Sequence, residues 1–165
     1  QNRPGHALSL LLLLLETLLS HLIISHIPYT EIDYLAYTSE VTSYTSGERD
    51  YRKIKGATGP LVYPATFLYV YEFIINLSKG DIITAQYIFL FVYVFNRAVT
   101  FRVYYIVFGR SWKFYVSIIL LCLSKRIHSL YLLRLFNDCL QNLSTNLSLL
   151  IFLSDGSYAL ASGVY

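Results

Sequence analysis

Two carboxylates follow directly after a long apolar segment. Glu31 and Asp33 lie in the run 28–34, where a predicted membrane helix meets water. Carboxylates are poor membrane anchors, but at the mouth of a membrane-embedded active site one of them can act as a general base. On a helix, residues two apart point ~200° away from each other, so only one acid would face a pocket, whereas in an extended chain both could. The alternative interpretation is a solvated juxtamembrane loop.

A second polar group interrupts an apolar stretch further along the chain. Lys125, Arg126 and His128 lie where each charge costs ~2.5–3.5 kcal/mol on insertion scales, so we expect them to face the bundle interior or a watery cavity. One interpretation is a cationic wall that neutralises a lipid phosphate. The alternatives are snorkelling near a helix end and a buried pair with Asp138. Arg126 and Asn137, eleven residues apart, share a stripe if the helix continues between them.

Composition indicates a membrane protein. The 165 residues are 55% hydrophobic and 14% charged, with a mean hydropathy of +0.49, which is too apolar for an ordinary soluble domain. The net charge is +3, and the basic residues are scattered among apolar ones, so the sequence disfavours nucleic-acid binding. No His/Cys metal spacing is present, and we expect no obligatory metal. Cys122 and Cys139 lie in or beside apolar spans, which disfavours a disulfide.

We predict an all-α multispan membrane protein, of which this sequence is the N-terminal part. The sequence contains no Met and stops within what reads as a new apolar segment. Residues 1–165 are predicted to form one incomplete membrane domain. Its predicted parts are a first span at 7–27, a luminal catalytic loop with interfacial helices at 28–81, further spans at 82–108, 114–133 and 140–153, and the start of a truncated span at 157–165.

The predicted topology brings two distant segments together. Arg3 favours a cytoplasmic N-terminus, so the loop after the first span faces the lumen. The stretch 63–78 reaches only ~24 Å as a helix and is predicted to lie at the interface. The span 114–133 then returns to the lumen, which brings Arg134 to the side of Asp33. Arg134 and Asp138 have the spacing of a helical ion pair, which we expect to form.

Three blocks of sequence resemble one known family. They are Tyr29-Thr30-Glu31-Ile32-Asp33-Tyr34 through Val41, the block Gly56-Ala57-Thr58-Gly59-Pro60-Leu61-Val62-Tyr63-Pro64-Ala65, and the pair Arg126-Ile127-His128-Ser129 with Leu133-Arg134-Leu135-Phe136-Asn137-Asp138. In this order they resemble the dolichyl-phosphate-mannose-dependent α-1,3-mannosyltransferases of the asparagine-linked glycosylation pathway. Ala57 stands where related chains often have Asp, so a second loop carboxylate is absent there.

The resemblance implies a GT-C-class fold in the endoplasmic reticulum membrane and a transfer of mannose to the lipid-linked Man5GlcNAc2 oligosaccharide on the luminal face. The donor, dolichyl-phosphate mannose, is β-linked and the product α-linked, so a single inverting displacement with one base suffices. The implied catalytic acid is Asp33, with Glu31 as the alternative. The candidate substrate-binding residues are Tyr63, Arg126, His128, Arg134, Asn137 and Asp138. The expected partners are the two dolichol-linked substrates and membrane lipid, with no cofactor.

Two other functions compete with this one. A related mannosyltransferase acting on glycosylphosphatidylinositol lipids has a similar acid-x-acid motif in its first loop. A non-catalytic scaffold or transporter subunit would instead use Arg97 and Arg126 to line a conduit.

Overall fold

Leucine, which loses little side-chain freedom in a helix, dominates the first element, α1 (Pro4–His26). The computed structural model describes residues 4–155. The further elements are α2 (Tyr34–Thr45), β1 (Lys55–Gly56), β2 (Gly59–Pro60), α3 (Ala65–Ser78), α4 (Ile82–Phe108), α5 (Trp112–Cys122), α6 (Lys125–His128), a π-helical turn (Ser129–Leu133) and α7 (Asp138–Asp155). The predicted start of a span at 157–165 lies outside the described residues.

Two of the described helices are long and apolar enough to cross a membrane. They are α1, over Gly5–His26, and α4. The pair formed by α5 and the segment Lys125–Leu133 is bent by 46° and makes a third crossing if it is counted as one broken span. The predicted class, an all-α multispan membrane protein, is confirmed. The predicted span 140–153 lies inside α7, which is not among these candidates.

One face of α1 is apolar and exposed, and the other is polar and buried. Leu10, Leu14 and Leu18 are more than half exposed, as expected of side chains that face lipid. On the opposite face, Glu16 is 2% exposed and Ser20 is fully buried. The first helix therefore carries a carboxylate into the helix bundle.

The predicted span 114–133 is not one straight helix, because the helix breaks after Cys122 and resumes at Lys125, and a crossing of the membrane by this segment stays a prediction. The resumed segment ends at Leu133, so no single helix joins Arg126 to Asn137 and their predicted common stripe does not exist. Arg134 has φ −123°, which is not helical, and α7 begins only at Asp138. Among the described residues the predicted ion pair between Arg134 and Asp138 is therefore absent.

An aromatic cluster packs α2 against α3. The Tyr37 ring makes edge contacts with Phe67 and Tyr71, whose centroids are 5.1 and 5.0 Å away. The strands β1 and β2 pair as a two-stranded antiparallel hairpin beneath α2. A Cβ on Gly56 would lie 2.6 Å from the Ala36 Cβ, so only glycine permits this approach of β1 to α2.

We expect Gly56→Ala to destabilise the protein. The added methyl group overlaps the Ala36 backbone and forces α2 away from β1, at a cost of about 1–3 kcal/mol, as for other overpacked sites. The measurement is the thermal unfolding midpoint of the detergent-solubilised protein. Gly47→Ala is the control for a glycine-to-alanine change without overlap, because its added methyl group lies in open space. Its positive φ adds backbone strain, so any loss it causes measures strain without overpacking. A Gly56→Ala midpoint equal to that of the wild type would contradict the close packing.

Candidate active site

The two segments predicted to converge do meet. The Thr30 N–H, in the loop after α1, donates a hydrogen bond to the Leu133 carbonyl at 2.9 Å. This contact confirms that the acidic loop and the end of the broken helix lie together. The side of the membrane they face stays a prediction.

The end of the π-helical turn is held by donors from two further helices. Gln86 of α4 donates to the Leu132 carbonyl at 2.7 Å, and the Tyr71 hydroxyl of α3 donates to the Leu135 carbonyl at 3.1 Å. Leu135 is fully buried and has φ +52°, a left-handed conformation that is costly for a leucine. Such strain persists where the surroundings over-determine the backbone, and it is common at active sites.

The two candidate acids have different roles in the structure. Glu31 accepts the Leu35 N–H at 3.1 Å, at the start of α2, and also accepts a hydrogen bond from the Tyr29 hydroxyl. Asp33 occupies the N-cap position, yet its side chain makes no capping hydrogen bond. The Glu31 carboxylate therefore stabilises the helix start, while the half-buried Asp33 carboxylate is available to a ligand.

Tyr37 connects α2 to the segment just before α3. It lies one helical turn after Asp33, and its hydroxyl is 3.3 Å from that of Tyr63. Burial, the hydrogen bond with Tyr63 and the negative charges of Asp33 and Asp138 raise the pKa of Tyr37 above its ordinary value. Because both carboxylates act on one hydroxyl, they border the same polar region.

A cavity of about 560 Å³ opens beside this region. Tyr63 and Phe67 line one side, and Asn137, Gln141 and Ser144 of the α7 region line the other. Its mixed apolar and amide lining is of the kind that binds sugars or lipid-linked groups. Within residues 4–155 no group of three His, Cys, Asp or Glu side chains is arranged to hold a metal ion.

The structure brings four more of the candidate residues to this region. Tyr63 and Asn137 line the cavity, and Asp138 begins α7. Arg134 directly follows Leu133, and its Nε is buried with no hydrogen-bond partner among the described residues. An unpaired buried guanidinium N–H favours an incoming acceptor such as a phosphate oxygen.

His128 and Arg126 are not part of this region. His128 is 5% exposed and points into the bundle, where its Nε2 lies 2.9 Å from Glu16 Oε2. Its predicted role as a phosphate-neutralising cation is therefore replaced by a contact with α1. Arg126 is exposed near the start of α6, seven residues before Leu133. Of the two alternatives, a buried pair with Asp138 is absent among the described residues, and snorkelling of Arg126 stays a prediction.

A buried polar cluster lies inside the bundle, and sequence reasoning missed most of it. The Tyr93 hydroxyl donates to Glu16 Oε2 at 2.5 Å, and Arg97 Nε donates to that hydroxyl at 3.0 Å. Arg97, 5% exposed, thus has its partner in the bundle interior and does not line a conduit. An acid directly after six leucines was the available signal for Glu16, but no spacing identified its partners.

A third acid of the first loop, Glu40, is buried. It is 4% exposed, and its Oε2 has no hydrogen-bond partner in the described part of the chain. Burial and the negative charge of Asp33 raise the pKa of Glu40 to about 7. The fold therefore disfavours ionisation of Glu40.

Comparison with known proteins identifies a family. The family model described as ALG3 protein matches residues 10–165. A relative from Arabidopsis thaliana, named Dol-P-Man:Man(5)GlcNAc(2)-PP-Dol alpha-1,3-mannosyltransferase, is 44% identical over 152 residues, which cover 92% of this chain and 34% of the relative. Two relatives of the same name are similar to a comparable degree. The one from Neurospora crassa is 43% identical over 153 residues, which cover 89% of this chain and 34% of the relative. The one from Cryptococcus neoformans is 45% identical over 149 residues, which cover 86% of this chain and 33% of the relative. The chain thus spans about a third of the length of these curated relatives. No solved structure matches the chain.

We expect Tyr71→Phe to destabilise the segment after the π-helical turn. The change removes the hydroxyl that donates to the Leu135 carbonyl and leaves that buried carbonyl unpaired, at a cost of about 1–3 kcal/mol. The measurement is the thermal unfolding midpoint. Tyr69→Phe, on the exposed face of the same helix, is the matched control: it removes a solvent-exposed hydrogen bond to the Tyr44 hydroxyl and leaves no buried group unpaired, so it should lower the midpoint less. Equal midpoints for the two variants would argue against a structural role for the Tyr71 hydroxyl.

The buried Glu40 predicts a pH dependence of stability. Its pKa is raised from 4.5 to about 7, so its favourable contribution is fully present below about pH 4.5 and is lost as pH rises through about 7. Glu40→Gln, which stays neutral, should lose less stability than the wild type between pH 5 and 8 when unfolding midpoints are compared. Glu48→Gln, in the loop after α2, keeps an oxygen that can accept the Arg49 and Asp50 N–H groups and should follow the wild type. Parallel curves for wild type and Glu40→Gln would exclude a raised pKa.

Proposed function

The chain belongs to the ALG3 protein family, and from this we propose that the protein containing it transfers mannose in α-1,3 linkage from dolichyl-phosphate mannose to Man5GlcNAc2-PP-dolichol. The proposed setting is a GT-C-type enzyme of the endoplasmic reticulum membrane, with its reaction on the luminal side. The observation that carries the proposal is the hydrogen bond from Thr30 to Leu133, which brings Asp33 to the segment that bears Arg134.

Asp33 is the proposed general base. Inversion at the mannose carbon needs one carboxylate that accepts the proton of the acceptor hydroxyl as that oxygen attacks, while the lipid phosphate leaves from the opposite face. The availability of the Asp33 carboxylate supports this choice, because Glu31 is occupied by the Leu35 N–H and the Tyr29 hydroxyl.

Arg134 is the proposed partner of the leaving phosphate. The departing dolichyl phosphate gains negative charge, and a preorganised guanidinium stabilises it most where water is excluded. The buried and unpaired Arg134 Nε supports this role. Arg126 remains a candidate for binding the lipid phosphate before transfer, since it is exposed and unpaired among the described residues. His128 is withdrawn from the substrate-binding set.

The cavity beside Tyr63 is the proposed site for part of a sugar substrate. Asn137 and Gln141 present amide groups that can bind sugar hydroxyls, and Tyr63 and Phe67 present ring faces on which a sugar can stack. The competing conduit hypothesis loses support from the burial of Arg97 beside Tyr93. No observation on this chain favours a glycosylphosphatidylinositol-lipid acceptor.

The test of the base is Asp33→Asn in the full-length protein. The amide keeps the size of the side chain but cannot accept the proton, so we expect the rate of transfer from dolichyl-phosphate mannose to fall by about 10²–10⁴-fold. The measurement is transfer of radiolabelled mannose to Man5GlcNAc2-PP-dolichol in reconstituted membranes. Cells that rely on this variant should accumulate the five-mannose lipid oligosaccharide.

Glu31→Gln is the matched control for this test. The amide oxygen of Gln can still accept the Leu35 N–H, so transfer should fall far less than with Asp33→Asn. Normal transfer by folded Asp33→Asn, or a complete loss with Glu31→Gln alone, would reject Asp33 as the base. Accumulation of a glycosylphosphatidylinositol precursor instead would favour the competing acceptor.

A further inference from the structure

Three helices meet at one carboxylate oxygen inside the bundle. Glu16 Oε2 of α1 accepts hydrogen bonds from the Tyr93 hydroxyl of α4, at 2.5 Å, and from His128 Nε2 of α6, at 2.9 Å. The other ring nitrogen of His128 lies 2.9 Å from the Ser124 carbonyl. Both ring nitrogens of His128 thus lie within hydrogen-bond distance of oxygen atoms, and Nε2 also lies 3.3 Å from the Tyr93 hydroxyl. Glu16 and His128 therefore form a buried polar contact, which is an ion pair when the imidazole is protonated.

Inserting this polar cluster into a membrane costs free energy, and apolar side chains could fill the same space. A charge within a membrane helix costs ~2.5–3.5 kcal/mol on insertion scales, and apolar residues of similar volume commonly replace buried ion pairs without loss of stability. What apolar side chains do not provide is a directional contact that defines the register between helices. The Leu-rich surface of α1 has nearly the same free energy at several depths and rotations in lipid.

The cluster lies upstream of both segments that converge at the candidate active site. Asp33 follows Glu16 by seventeen residues, and Leu133 follows His128 by five. A slip of α1 against α6 by one helical turn moves Thr30 away from the Leu133 carbonyl by ~5 Å, which breaks their hydrogen bond. The register set at Glu16 therefore determines whether the base and the cationic segment meet.

We propose that Glu16 is a positioning residue for the active site, which it serves through His128 by fixing the register of α1 against the broken helix. This inference rests on the proposed function. Glu16 touches neither substrate. Its effect is on the placement of Asp33 relative to Arg134.

The test combines a structural readout with kinetics in the full-length protein. A benzophenone amino acid replaces Thr30, and its photo-crosslinking to the peptide 130–137 is measured by mass spectrometry. In Glu16→Leu this crosslink should fall by about fivefold or more, since the slip is of order one turn. Without the benzophenone, kcat per folded enzyme should fall by about 100-fold, as for other small misplacements of catalytic groups, while KM for the acceptor changes by less than about threefold.

Two controls separate positioning from general destabilisation. Thr17→Leu changes the neighbouring residue, which is exposed and bonds only to its own helix, so crosslinking and kcat should equal those of the wild type. Glu16→Gln keeps an oxygen that accepts from Tyr93 and His128, so it should retain crosslinking and kcat within about threefold. If Glu16→Leu fails to fold, Tyr93→Phe, which removes one donor and keeps the ring, should lower both readouts to a smaller extent.

The outcomes distinguish this inference from the proposed function. Undiminished crosslinking in folded Glu16→Leu overturns the positioning role, and the Asp33→Asn result then still tests the function by itself. A loss of crosslinking together with a lower kcat and an unchanged KM supports positioning. A wild-type protein that crosslinks but transfers no mannose overturns the proposed function, and the catalytic meaning of Glu16 with it.

Discussion

The hydrogen bond from the Thr30 N–H to the Leu133 carbonyl joins the two halves of the candidate site. Its origin is the break in the predicted span 114–133. A helix that ends inside an apolar environment leaves carbonyl groups without partners, and each one is costly unless another donor reaches it. The Leu132 carbonyl accepts a hydrogen bond from Gln86, and the Leu135 carbonyl accepts one from Tyr71. Donors from α3, α4 and the first loop therefore meet at one short segment. The candidate site forms where these donors satisfy the backbone carbonyls of that segment.

The three acids of the first loop have different roles in the structure. Glu31 serves the start of α2, which leaves Asp33 open to a ligand. Glu40 is buried further along the chain, in α2, where burial and the negative charge of Asp33 disfavour its ionisation. The first loop thus offers one acid that is open to a ligand, while its other two acids are taken up by the start and the interior of the fold.

The sequence predicted the elements better than their contacts. Hydropathy alone identifies α1 and α4, and the family resemblance points to Asp33, Arg134 and Asn137. The break between α5 and α6 has a local signal in the polar residues after Leu123, but the π-helical turn depends on distant donors that no local pattern reveals. Glu16 was visible as an acid beside a leucine run, yet its partners on α4 and α6 are 77 and 112 residues away.

Polar contacts along α1 and just past its end, which include a hydrogen bond between His21 and Tyr87 of α4, constrain the helix in a way that apolar packing cannot. Lipid tails are as apolar as leucine, so α1 gains little from any one depth or rotation. The hydrogen bonds at Glu16 hold the middle of α1, and the hydrogen bond at Thr30 holds the chain just past its end. Contacts at these two depths restrict both the register and the direction of the helix. In the proposed positioning role, the Asp33 carboxylate is placed in part by polar groups that lie deep in the bundle and never meet the substrate.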